Sequence, residues 1–204
     1  MENKKFKLTD ETITNGWGVT LSRIVALKDF RNVKTGDEGG FVEKEENLSH
    51  KNDCWIFDNA KVSGEARVCD EARVFGEARV FDEARVFGEA QVFGEARVFD
   101  EAQVSGEAWV CDEARVFGEA QVSGEARVCD EAQATTVVKT FGNAFCYGIT
   151  VTDKHIKIGC RQHLKSEWLN FQEGEIIEMD GKRALKFWRI FKPLAEQLGL
   201  FEEI

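Results

Sequence analysis

The sequence predicts an all-β solenoid on three observations. Valine recurs every six residues from Val62 to Val128, and each has an alanine two positions before it. In an extended strand residues i and i+2 share a face, so each Ala/Val pair points one way and the residue between them the other; the same period would smear the valines around a helix. Two positions after each valine comes Gly or Asp, then Glu, which puts a residue tolerant of unusual backbone angles at a bend. Each hexad is thus a short strand plus a corner, and from Ala60 to Gln133 the period runs without an insertion, which is the pattern of stacked units.

Around the repeat the chain divides into three parts. Residues 1–53 read as a small N-terminal cap, with a strand-like stretch from Val19 to Leu27 and a Gly-rich acidic segment around Gly36 to Glu46. Residues 54–152 are the expected solenoid, its phase set by Cys54 and Ile56 and kept by Gly142 and Ala144. Residues 153–204 read as a last strand at Ile156-Lys157-Ile158, then helices at Leu164 to Phe171 and Arg183 to Leu198. In the second helix Leu185, Trp188, Phe191, Leu194 and Leu198 form an apolar stripe that contains the single proline, Pro193. Such helices are expected to cover exposed strands at the end of the stack.

Runs such as Ala84-Arg85-Val86-Phe87-Gly88-Glu89 resemble the hexapeptide repeats of left-handed parallel β-helices. That resemblance implies the left hand, three hexads to one triangular coil, and an interior of small and aliphatic side chains. The frequent Phe straight after the aliphatic position departs from the family, which often has a small residue there. The flanks, Gly39-Gly40-Phe41-Val42-Glu43, Asn47-Leu48-Ser49, Trp55-Ile56 with Asp58-Asn59-Ala60, and Ile158-Gly159-Cys160 with His163 and Trp168, are similar to YdcK-like hexapeptide proteins of bacteria and phages. The resemblance implies a bacterial or phage source and a homo-oligomer, with a trimer favoured. It specifies an architecture, with a transferase-like fold label rather than a defined reaction.

Composition excludes several classes. No apolar run reaches membrane-spanning length and no signal-like apolar region follows Met1-Glu2-Asn3-Lys4-Lys5, so a cytoplasmic protein is expected. The 6 cysteines are scattered and read as reduced thiols used as small apolar residues. Net charge is −10, and residues 60–132 carry 8 basic against 17 acidic side chains, so the acidity belongs to the repeat. Direct nucleic-acid binding is therefore not expected, because it rests on neutralising phosphates.

With eighteen residues per coil, three outer faces separate. The first carries Phe75, Phe93 and Trp109 in successive coils; the second is a ladder of Arg79/Phe81, Arg97/Phe99 and Arg115/Phe117; the third is plainer, with Cys69, Phe87, Ser105 and Ser123. Outward aromatic rows mark an interface, and self-association is the first reading. The alternatives are a protein or small anionic ligand on the Arg/Phe face, with bases stacking on Phe, and rows copied along by repeat expansion.

Catalytic signals are sparse. Hexapeptide acyltransferases resemble the coil but generally use a histidine near an inter-subunit cleft, and His50, His155 and His163 all lie outside the perfect repeat. The sequence holds no P-loop, dinucleotide fingerprint or Gly-x-Ser-x-Gly elbow, and no cofactor is expected. Cys146, His155, Cys160 and His163 form a weak candidate site for zinc or a Cys160/His163 nucleophile pair, since soft sulfur and imidazole suit zinc. The expected function is a non-catalytic, self-associating scaffold or binding protein; a hexapeptide-type acyltransferase and an acidic decoy or nucleotide sponge are the alternatives.

Overall fold

The computed structural model describes residues 4–136, 138–141 and 147–202. Strands β1 (Phe6–Thr14) and β2 (Thr20–Ala26) form an antiparallel hairpin, and β3 (Glu38–Val42) pairs antiparallel with β2. After β4 (Trp55–Ile56), thirteen two-residue strands follow at six-residue intervals, from β5 (Lys61–Val62) to β17 (Gln133–Ala134). They stack in parallel, in register, on three sheets: Val80 lies between Val62 and Val116's neighbour Val98, Val86 between Val68 and Val104, and Val92 between Val74 and Val110. The result is a β-solenoid of about five turns.

The coil is held by two repeated devices. Inside, every Ala and Val of the repeat from Ala60 to Ala132 is buried, forming one continuous core. Between coils, backbone hydrogen bonds recur with the same spacing, as in Arg79 N to Ala96 O at 2.9 Å, Phe81 N to Val98 O at 3.0 Å and Glu83 N to Asp100 O at 3.0 Å. At the corners Asp70, Asp82, Asp100, Asp112 and Asp130 take positive φ of 57–59°, a conformation that Gly and Asp reach more readily than most residues. Aspartate also adds a bond that glycine lacks. Asp58 Oδ2 accepts the Gly76 N–H at 3.0 Å and Asp100 Oδ2 the Gly118 N–H at 3.0 Å, each tying one corner to the next coil.

The stack begins before Cys54. Phe41 and Val42 of β3 pair in parallel with Lys61 and Val62, and Leu48 bridges Val68, so the segment expected to be a separate cap supplies the first turn. Gly40 stands in the alanine place, where a Cβ would lie 2.4 Å from Ile56 Cγ2 and 2.5 Å from Ala60 O. The buried Asn47 amide donates to Gly64 O and Ala66 O at 3.0 and 2.9 Å, closing that turn.

The stack also ends sooner than position 152. The last parallel pairing among the described residues is Gln133–Ala134 with Arg115–Val116. Thr136 stands in the Gly/Asp place of the corner, and Val138 is buried while Thr140, which holds the valine phase, is exposed. From there β18 (Lys139–Phe141), β19 (Ile149–Val151), β20 (His155–Ile158) and β21 (Arg161–Leu164) form an antiparallel meander. Gly142, Ala144 and Cys146 lie outside the described residues.

The meander and two helices enclose a second core of Ile149, Ile156, Trp168, Ile176, Phe187 and Phe191, among others. Helix α1 spans Lys165–Asn170, and α2 spans Glu173–Gln197 with a break at Asp180 and Gly181. The buried face of α2 is Ala184, Phe187, Trp188, Phe191 and Ala195; Leu194 and Leu198 of the expected stripe are 37% and 50% exposed. The meander is pinned to the coil by Asp153, 6% exposed, which accepts Thr135 N and Oγ1 at 2.6 Å and Thr136 Oγ1 at 2.9 Å. Gln162 Nε2 also donates to Cys129 O at 3.0 Å.

One expectation about the cysteines is corrected. Cys111 and Cys129 are bonded as a disulfide across adjacent coils, because in-register stacking brings residues eighteen apart to a Cα separation of 4.6 Å. Cys54, Cys69 and Cys160 are free thiols.

Candidate functional site

Parallel stacking fixes the geometry of the outer faces, because residues eighteen apart share a column. On the second face Phe81 and Phe99 stack with centroids 5.0 Å apart and planes 1° apart, and Phe99 and Phe117 at 5.0 Å and 2°. The hairpin tip between β1 and β2 adds a rung: Trp17 packs on Phe81 at 5.1 Å, on the side where Ser63 stands in the Phe column of the preceding coil. Both faces of Phe99 are thus covered and the phenyl edges point outward. The indole of Trp17 is 66% exposed and gives the ladder an open aromatic surface at its lower end. Beside the rings, Arg79, Arg97 and Arg115 are in register, and none forms an ion pair among the described residues.

The first face is built differently. Phe75 and Phe93 stack at 4.8 Å, Trp109 meets Phe93 edge-on at 5.9 Å, and the Arg127 guanidinium lies 4.4 Å over the Trp109 ring. The Phe column gives way to the Cys111–Cys129 bridge, both cysteines being 5% exposed. Where this face meets the meander, a cleft of about 850 Å³ opens, lined by Glu107, Trp109, Glu125, Arg127, Lys157 and Cys160 among others. Its charge is mixed, and no histidine lines it.

The weak candidate site does not assemble. His163 pairs with Ile156 and packs edge-on against Trp168 and Phe171, with Nδ1 3.6 Å from Glu167 Oε2. His155 pairs with Leu164 at the other end of β20 from Cys160, which sits in the turn after Gly159. At roughly 3.3 Å per extended residue, the four residues from His155 to Gly159 already span about 13 Å. Burial holds the His155 imidazole below its ordinary pKa, Lys154 adding to this and Glu167, Glu131 and Asp130 opposing it; Nδ1 is buried without a hydrogen-bond partner among the described residues. His50 is bound on both ring nitrogens, Nδ1 accepting the Lys5 N–H at 3.2 Å and Nε2 facing Glu45.

The thiols differ in their surroundings. Burial and the neighbouring Asp70 push Cys69 up to about 11, which leaves it protonated and unreactive at neutral pH. Cys54 is buried and also raised, with the Lys5 ammonium or amine 3.2 Å from its sulfur. The described side chains that could hold a metal together are Cys111, Asp112 and Cys129, whose donor atoms lie within 4.8 Å of one another. The sequence reading missed this group; the signal for it was two cysteines one coil apart. The Trp17 rung was missed because no local pattern announces a hairpin contact.

No family model matches the chain. A curated relative, described as the uncharacterized acetyltransferase YdcK of Escherichia coli (strain K12), is 29% identical over 79 residues, 32% of this chain. The match covers 24% of that relative's length. This distant similarity and the stacked coil fit a hexapeptide-repeat β-helix. No helix among the described residues is long and apolar enough to cross a membrane.

Proposed function

We propose that this chain is a non-catalytic β-solenoid scaffold or binding protein that self-associates through its outer aromatic ladders and acts in the cytoplasm, with the bacterial or phage source that the family resemblance implies. The observation that supports it is the ladder of Phe81, Phe99 and Phe117, half-buried and stacked with their edges outward. A row of parallel rings one coil apart makes a straight apolar ridge, which packs against a second protein surface without rearrangement. The same stacking argues against base stacking between the rings, because the ring faces are already occupied. A nucleotide sponge would have to use the exposed indole of Trp17 instead.

Light scattering coupled to size exclusion tests this reading. Replacing Phe81, Phe99 and Phe117 with Ser removes the second ridge, and replacing Phe75 and Phe93 removes the first. A large apolar side chain lost from an interface costs on the order of 1–3 kcal/mol of association, so the mass should fall toward that of a monomer in one of the two. Wild-type mass in both, with wild-type circular dichroism, contradicts assembly through these faces.

A second reading is an acyltransferase, favoured by the distant similarity to YdcK, which is described as an acetyltransferase. Its candidate base is His155, whose neutral form burial favours and whose Nδ1 has no hydrogen-bond partner among the described residues. Thiol release from acetyl-CoA in the presence of amino sugars, lost in His155→Ala, would support it; no such release is expected.

A further inference from the structure

Two sulfurs and a carboxylate meet at one corner of the coil, and the fold places them there by register rather than by a local loop. Trp109–Val110 and Arg127–Val128 pair in parallel, so Cys111 and Cys129 emerge at the same depth of adjacent coils with Cα atoms 4.6 Å apart. Asp112 turns the corner at φ 59°, and its Oδ2 accepts the Asp130 N–H at 3.3 Å, while Oδ1 takes no hydrogen bond among the described residues. Cys69 has no cysteine one coil on, because Arg67–Val68 pairs with Arg85–Val86 and Phe87 stands in the next rung.

We propose that Cys111, Cys129 and Asp112, with the cysteines reduced, form a binding site for one thiophilic divalent cation of the Zn²⁺ type. The disulfide and the metal complex are two states of the same pair. A small monothiol reductant opens the bridge: two of its molecules leave as their own disulfide and the protein gains two thiols. The cation then binds both sulfurs as thiolates, releasing two protons, and the Asp112 carboxylate is the third ligand. A water completes four-coordination, the arrangement of an open zinc site. Two thiolate donors select Zn²⁺ over Mg²⁺ or Ca²⁺, which prefer oxygen. Three negative donors against a double positive charge leave one net negative charge; the cations of the flanking positions are Arg127, over the Trp109 ring, and Lys157, 3.8 Å from Asp130. In a reducing compartment the dithiol is the resting form. This inference does not depend on the oligomeric state.

Cobalt(II) is the probe, because thiolate ligation gives it a charge-transfer band that carboxylates alone do not. The full chain is reduced under argon, freed of reductant and titrated with Co²⁺, then with Zn²⁺ as competitor. One equivalent of Co²⁺ is expected, displaced by one of Zn²⁺, and the oxidised protein should show no band. The oxidised sample has the same sequence and coil, so the contrast does not depend on a variant folding. Cys129→Ser should lose the band, and serine already occupies equivalent outward positions at Ser105 and Ser123. Asp112→Asn should weaken binding on the order of 10–100-fold, the range seen when a metal site loses one supporting partner. A reduced protein without the band, or a Cys111→Ser/Cys129→Ser double variant that keeps it through Cys54, Cys69 or Cys160, overturns the assignment.

Discussion

Opening the Cys111–Cys129 bridge should cost the oxidised protein a measurable share of its stability. The bridge joins residues 18 apart, and it removes that loop's freedom from the unfolded chain. For a loop of this length the closure entropy is roughly −11 cal/mol/K, or about 3 kcal/mol at 25 °C. In a chain of this size each kcal/mol moves Tm by about 2–4 °C, so metal-free reduction should lower it by about 6–12 °C. The assay is thermal melting by circular dichroism in chelator, with and without a phosphine reductant, of the wild type and of Cys111→Ser/Cys129→Ser. The reduced wild type and the double variant should melt together, and the variant should ignore reductant. Serine at Cys54, Cys69 or Cys160 should leave the response to reductant intact, because none of these thiols is bridged. Equal melting of oxidised and reduced wild type would mean that neighbouring coils already confine the loop when the chain unfolds, and the entropic reasoning would fail.

Other perturbations probe other parts of the molecule. Val98→Asp puts an unpaired carboxylate between Val80 and Val116 in a fully buried column and should cost about 3–5 kcal/mol or more in urea unfolding, whereas Glu101→Gln at an exposed corner should change the unfolding free energy by no more than about 0.5 kcal/mol; similar losses for the two would reverse the inward and outward assignments. Asp153→Ala leaves three donors from Thr135 and Thr136 without their acceptor and should cost on the order of 3 kcal/mol, seen as faster amide exchange across β18 and β19; unchanged exchange there would show that the carboxylate does not pin the meander. His155 has a folded pKa below its ordinary 6.5, so the unfolded chain binds the proton more readily. The stability it contributes is present above pH 6.5 and is lost as pH falls from there toward the folded pKa; urea midpoints between about pH 7.5 and 5.5, roughly one unit to either side, should therefore decline less in His155→Gln, and parallel declines would rule His155 out as the cause.

Much of the architecture was legible because the repeat leaves little choice. Ala and Val two apart can only share a face, and Gly or Asp at a fixed offset can only be a corner, so the inner columns and the membership of the outer faces follow from counting. What the count could not reach lies where the period slips. Gly40 takes an alanine's place and the step from Leu48 to Ile56 holds two extra residues, which hides the first turn. At the other end Val138 rather than Thr140 is buried, and the chain turns back as a meander. The candidate site was less legible still. Column membership put Phe81, Phe99 and Phe117 together, but their mutual stacking depends on ring orientation, and the Trp17 rung depends on a hairpin that folds over from the far end of the chain. Cys160 and His163 pair sulfur with imidazole three residues apart, yet the turn at Gly159 gives each residue a different environment.

The chemical sameness of the three inner columns has a consequence for how such a chain can change length. The core of alanine and valine cannot tell one wall of the prism from another, so losing or gaining a single hexad is invisible from within. Removing Ala84 to Glu89 would let every later unit turn by one wall and stack again on an equivalent interior. Only the outside would record the event: Phe99 would come to rest above Phe75 instead of Phe81, and Ser105 would take its former place. Slippage during copying of the gene therefore reshuffles the exterior pattern wholesale while leaving the inside intact, and new arrangements of aromatic and charged columns reach selection already folded.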